Sequence, residues 1–198
     1  MKINNVFREM KIISMFLILF TLSSIKAQGA ELSDISVAGI DVLTDEQTLQ
    51  AQDAIEKIPD SIICLFHKKG GKLIFQKKPI IVDSSNDEVL GAYWPSTHKI
   101  VVRTTPEIYE GTQSSIKKTI FHEYGHFVYH NSINKLSDES RMILENTYLY
   151  YKKYDPLCSD LNETFACLYS WFYGDMAEIS PDMQRVIKED ENLCKDNE

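Results

Sequence analysis

The pentapeptide His122-Glu123-Tyr124-Gly125-His126 constrains this chain more than any other stretch. It is an H-E-x-x-H pattern, and it asks for a helix. On an α-helix, positions i and i+4 stand one above the other on the same face. His122 and His126 can therefore meet one metal ion at about 2.0–2.1 Å each, and zinc is the usual guest of such a pair. Glu123 projects from the side of that stripe, where it ligates poorly but can take a proton from a water at the metal. A chain with 5 histidines produces about 0.01 such patterns by chance. The competing reading is a helix whose two histidines simply hydrogen-bond near a core. What separates the two is whether the rest of the chain supplies a third ligand and a wall for substrate.

At 198 residues the chain is long enough for one domain with a sizeable core. Its first stretch reads as something else. Lys2, Arg8 and Lys11 precede a short apolar run from Ile12 to Ile25, and small residues follow at Ala27-Gln28-Gly29-Ala30. The run is shorter than the roughly 20 residues that span a bilayer. Residues 1–27 are thus expected to be a secretory signal peptide cleaved between 27 and 30, with residues 28–198 as the mature domain of a secreted, extracellular protein. Removing residues 1–27 takes four basic residues (Lys2, Arg8, Lys11, Lys26) and one acid (Glu9) from a formal charge of −8, leaving −11. Such a surface argues against nucleic acid as a partner and against stable association with an anionic membrane. Cys64, Cys158, Cys167 and Cys194 allow up to two bridges in three connectivities, and none shows C-x-x-C spacing. Bridges and buried thiols both remain open.

Along the mature chain, Thr44 with Gln47 reads as a capping box for a helix to Lys57. Pro59 interrupts it, and Ser61 restarts a helix through Ile62 to Phe66 before Gly70-Gly71. Leu73–Phe75 and Ile80–Val82 read as short strands, and the β-branched run His98–Arg103 as the clearest strand. Ser114 or Ser115 can cap the helix that carries the metal motif to about His130. Three more helices follow: one from Ser137 to before Asp155-Pro156, one opened by Asp160 and stopped at Gly174, and one begun at Ser180-Pro181. A helix, a small sheet and then four helices make an α+β fold with segregated layers.

Two histidines leave a catalytic zinc one protein ligand short. His130 is a further four residues on, but eight residues of helix carry it about 12 Å from His122, too far to share one ion. It reads as a helix-end residue. Glu163 is the better candidate, at the first turn of a separate helix in Asn162-Glu163-Thr164-Phe165-Ala166. A carboxylate there can reach back and complete a His₂Glu set with one open position. Its alternative role is a capping glutamate paired with Asp160.

On His122-Glu123-Tyr124-Gly125-His126, Glu163-Thr164-Phe165-Ala166 and the strand upstream, the chain resembles the gluzincin metallopeptidases. Within them it looks most like the small secreted branch related to the anthrax lethal factor catalytic domain and the Pro-Pro endopeptidases. The resemblance covers the layout of about residues 45–195. It implies a zincin-like fold: a small mixed sheet with an edge strand over the active-site helix, and a mainly helical C-terminal half. It also implies one Zn²⁺ per chain held by His122, His126 and Glu163, with Glu123 as general base and then acid. The strand at 98–103 would be the sheet edge on which an extended peptide substrate adds. The family places a tyrosine shortly before the ligand glutamate to stabilise the oxyanion, and Tyr154 stands nearest that place, slightly too far upstream. It also often has an acidic residue one turn after that glutamate, where this chain has Cys167. The expectation is a secreted zinc-dependent endopeptidase. The alternative is a secreted toxin-like or binding module that keeps the scaffold with little turnover, and Glu123 favours the hydrolase because a binding module does not need it.

Overall fold

Secondary structure follows the punctuation of the sequence. The computed structural model describes residues 35–81, 88–104, 115–156, 158–174 and 179–195, so the expected signal peptide lies outside the described residues. Thr44 caps α1 (Asp45–Lys57) through a complete capping box. Its hydroxyl accepts from the Gln47 N–H, and the Gln47 side chain accepts from the Thr44 N–H. Pro59 holds an extended φ,ψ before α2 (Asp60–Lys68). Ser115 caps α3 (Ile116–Ser132), which carries the histidines, by accepting from the Lys118 N–H. Ser137 caps α4 (Asp138–Tyr151) in the same way; α5 (Leu161–Gly174) and α6 (Pro181–Lys195) complete the helices, the last with proline at its first position. Among the described residues no helix is long and apolar enough to cross a membrane.

The strands are β1 (Ser36–Ala38), β2 (Lys72–Gln76), β3 (Ile80–Ile81), β4 (Glu88–Val89), β5 (Gly91–Trp94) and β6 (Lys99–Arg103). One sheet has the order β1-β2-β6-β5, while β3 and β4 pair as a small separate ribbon. β1, β2 and β6 run parallel, and β5 returns antiparallel to β6. The fold is therefore α+β with a small mixed sheet, as expected.

The sheet overturns one expectation. The strand at 98–103 is not an edge: β6 lies between β2 and β5, and the sheet's edges are Ser36–Ala38 on one side and Gly91–Trp94 on the side of the motif helix. Burial explains the placement. Ile100 and Val102 enter the main core on one face, while Val101 packs with Ile80 and Ala92 on the other. A strand apolar on both faces needs neighbours on both sides. β5, with a glycine and half-buried aromatics, can stand at the margin.

The main core lies between the sheet and the helices. Phe66 of α2 sits 5.1 Å, centroid to centroid, from both Tyr124 and Phe127 of α3, so the far face of the motif helix is anchored by aromatic packing. Tyr93 of β5 meets Phe127 edge-on at 5.9 Å, which lays the open sheet edge along α3. On its other side α3 packs against α5. There Gly125 is indispensable: a Cβ on it would stand 2.8 Å from Ala166 Cα and 3.0 Å from Tyr169 Cβ. The glycine inside the motif lets the two helices close to backbone contact.

Candidate metal centre

Helical spacing and the Gly125–Ala166 contact build the centre. His122 and His126 bring their Nε2 atoms to 3.1 Å of each other. Asp160 caps α5, its Oδ1 accepting from the Glu163 N–H at 2.9 Å. With the cap supplied by Asp160, the Glu163 carboxylate turns towards α3 instead. Its Oε2 lies 3.2 Å from His122 Nε2 and its Oε1 3.5 Å from His126 Nε2. His122, His126 and Glu163 offer ligand atoms all within 4.8 Å of one another.

Those separations match a shared ion. Ligands about 2.0–2.1 Å from a tetrahedral zinc stand about 3.3–3.4 Å apart; the His122–His126 pair at 3.1 Å and the His122–Glu163 Oε2 pair at 3.2 Å lie close to that value, and the other Glu163 oxygen faces His126 at 3.5 Å. The donor set of two imidazole nitrogens and one carboxylate is one that zinc takes in open catalytic sites. A partner for His126 completes the fit. Its Nδ1 lies 2.9 Å from Asn162 Oδ1, an atom that only accepts, so Nδ1 carries the proton and Nε2 keeps its lone pair facing the cluster.

Glu123 occupies a different position from the ligands. It is 4 % exposed, and Gly91 of the open edge lies directly on it: a Cβ there would come within 2.6 Å of Glu123 Oε1. The carboxylate accepts from the backbone N–H of Tyr93, yet among the described residues Oε2 is buried with no hydrogen-bond partner. A buried carboxylate oxygen left without a donor is costly, and it is what a base awaiting a water would present. Burial pushes the Glu123 carboxyl up to about 7; the charge of Glu163 adds to this, while His122 and the Tyr93 N–H oppose it.

The metal-free charges are shared unevenly. Burial and the neighbouring His122 push His126 down to about 4, so it is neutral and ready to ligate. Burial alone would lower His122, but its bond to Glu163 and the charges of Glu123 and Glu163 raise it above the ordinary imidazole value. The same contacts outweigh burial on Glu163 and hold it below the ordinary carboxylate value. The cluster thus stores a proton that a cation would displace.

The edge strand is oriented for pairing. The Arg103 N–H donates to Leu90 O at 2.8 Å, and the β5–β6 register follows from that pair. Gly91 and Tyr93 then turn their N–H and C=O groups off the open edge, in accord with the Tyr93 N–H reaching Glu123. His98 sits in the turn before β6 at φ 49°, its Nδ1 3.0 Å from the Tyr93 hydroxyl.

The structure brings together His122, Glu123, His126 and Glu163. It does not bring Tyr154 to them. Tyr154 is 73 % exposed beyond the end of α4, with its ring packed on Tyr150 at 5.3 Å. Tyr129 and Tyr148 line, with Asp160, Leu161 and Asn162, an open cleft of about 400 Å³. His130 is exposed, its ring packs near Tyr93 and Tyr129, and it is not one of the three side chains whose ligand atoms converge. Sequence reasoning missed the hold of Asn162 on His126. The one available signal was an amide directly before the ligand glutamate. Cys167, where an acid was looked for, is buried beside Cys158 and takes no part in orienting the histidines.

No protein-family model and no curated protein matches the chain. Among solved structures it is similar to the Pro-Pro endopeptidase from Paenibacillus alvei, with a TM-score of 0.53 and 18 % sequence identity. The similarity covers 85 % of this chain and 97 % of that one. At this identity the likeness is one of fold.

Proposed function

We propose that the chain is a secreted zinc-dependent endopeptidase that cleaves a peptide bond in an extended protein substrate. The observation that carries this reading is the buried Glu123 oxygen that has no hydrogen-bond partner among the described residues, set beside three converging ligand atoms and under the Gly91–Trp94 sheet edge. The endopeptidase activity named for the structural neighbour supports it, as do the N-terminal charge and apolar pattern for export.

His122, His126 and Glu163 would hold one zinc, which supplies Lewis acidity that polarises a peptide carbonyl and makes water ionisable near neutral pH. Asn162 fixes the His126 tautomer. The N–H and C=O of Gly91 and the C=O of Tyr93 turn outward, where an extended peptide can add as a further strand, while the Tyr93 N–H is held by Glu123. Glu123 takes the proton of the attacking water as it adds to the carbonyl carbon. It then gives that proton to the departing amine as the C–N bond breaks, leaving a carboxylic acid and a free amine, and the acid's proton passes to the amine or to solvent to give the carboxylate. Burial and the Tyr93 N–H keep Glu123 aimed, and its raised pKa suits a group that must both accept and return a proton near neutrality.

The test pairs two variants with wild type. Metal analysis of the purified chain should find one zinc per molecule, lost or greatly weakened in Glu163→Ala. Digestion of an unstructured protein substrate should be abolished in Glu123→Gln with zinc retained. Zinc unchanged in Glu163→Ala would remove that residue from the ligand set. Equal turnover by Glu123→Gln would end the general-base role, and a zinc-loaded wild type that cleaves nothing would leave a binding module.

A further inference from the structure

The second helix of the centre begins between two buried thiols. Cys158 is fully buried in the turn before α5, its N–H donating to Asp155 O at 3.1 Å. Cys167 lies inside α5 at 5 % exposure, one turn beyond Glu163. The two thiols are hydrogen-bonded to each other, and Cys158 also meets Thr164. Cys64, by contrast, is exposed on α2. Of the connectivities open to four cysteines, contact favours one pair.

We infer that Cys158 and Cys167 close to an intramolecular disulfide that braces the start of α5 and with it the ligand Glu163. The ring so formed, residues 158–167, encloses each residue that α5 and its cap contribute to the centre. Asp160 caps the helix, Asn162 holds His126, and Glu163 faces both imidazoles. A staple around this one turn limits how far Glu163 can retreat when the helix end frays, since helix ends open first. The alternatives fit less well. Burial raises both thiols well above the ordinary value, so neither is poised as a nucleophile. Among the described residues, the group of side chains that could hold a metal includes no sulfur.

The oxidant is a low-molecular-weight disulfide such as oxidised glutathione. When the start of α5 frays and admits solvent, one protein thiol ionises, and its thiolate attacks the oxidant and expels one glutathione thiolate, leaving a mixed disulfide. The second protein thiolate then displaces the other glutathione thiolate. One S–S bond is made in the protein and one is broken in the oxidant. The two thiol protons end on the two reduced glutathione molecules.

The bracing role rests on the metal-centre reading; the bond itself does not, and the test separates them. The mature chain is equilibrated with oxidised and reduced glutathione, alkylated under denaturing conditions, and mapped by mass spectrometry without reduction. The expected result is a cross-linked pair of peptides carrying Cys158 and Cys167, with Cys64 alkylated. Thermal melting should place the oxidised form about 5–10 °C above the reduced one, a difference absent from Cys167→Ser. Zinc titration should show tighter binding by the oxidised form. All four cysteines alkylated after exposure to the oxidant, or a bridge through Cys64 or Cys194, would overturn the bond. A Cys158–Cys167 bond with zinc affinity equal in both forms would overturn the bracing and leave the pair a fold staple alone.

Discussion

Gly125→Ala tests whether helix approach assembles the centre. Taken alone, the change should help: alanine is favoured over glycine inside a helix by about 0.8–1.0 kcal/mol, and Gly125 needs no positive φ. Packing opposes it. The new Cβ would lie 2.8 Å from Ala166 Cα and 3.3 Å from Ala166 O. Carbon atoms in contact prefer about 3.5–4.0 Å, so α5 must retreat by about 0.8 Å, and backbone atoms cannot rotate away. Overpacking of this kind costs about 1–3 kcal/mol, and a backbone clash belongs near the top of that range. The net is a loss of about 2 kcal/mol, or roughly 4–8 °C in Tm for a domain of this size. Glu163 sits one turn before Ala166 on the same helix and moves with it. Metal–ligand bonds tolerate about 0.2 Å, so zinc affinity should fall by roughly ten- to a hundredfold. The assay is zinc competition against a chromophoric chelator beside thermal melts with and without zinc, in which the variant also shows a smaller zinc-induced rise in Tm. A variant with wild-type Tm would refute the clash argument. One that melts early yet binds zinc as tightly as wild type would refute the link from helix spacing to Glu163.

Gly91→Ala should separate metal from chemistry. Its Cβ would meet Glu123 Oε1 and Thr119 Cγ2 at 2.6 Å, and a base displaced by nearly 1 Å loses about a hundredfold in rate; zinc stoichiometry should hold, and loss of zinc or full peptide turnover would count against the geometry. Asn162→Ala removes the acceptor on His126 Nδ1 and should weaken zinc by roughly ten- to a hundredfold with little change in Tm of the metal-free chain, as read by the same chelator competition. Zinc binding should release protons, because His122 is raised above the ordinary imidazole value and loses its proton when it ligates. Affinity should therefore climb as pH rises through and above 6.5, and calorimetry in two buffers of different ionisation enthalpy should count the proton; binding independent of buffer and of pH would contradict the charge assignment.

What could be read from the sequence is what a single element decides. The pairing of His122 with His126 needs only a helix, and Ser115 and the apolar face of α3 announce one. The cap at Thr44, the break at Pro59 and the proline start of α6 are equally local. The sheet edge is not local, and there the expectation for 98–103 failed. A strand's neighbours depend on the whole topology, although Ile100-Val101-Val102, apolar on both faces, already argued for an interior strand. Gly91 through Trp94, with a glycine and turn residues after it, had the character of a margin.

Glu163 stands between these cases, and the reason it could be found is physical. Asp160 and Glu163 in one first turn are one more carboxylate than capping requires. Once Asp160 accepts the Glu163 N–H, the second carboxylate is free to face the histidines. What the sequence could not show is the distance between the two helices, and that distance is set by an atom that is missing. Gly125 has no Cβ, so Ala166 can rest against the backbone of α3 and carry Glu163 within reach. The glycine of His122-Glu123-Tyr124-Gly125-His126 thus joins the two halves of the site: the local pattern supplies two ligands, and the gap inside it admits the third.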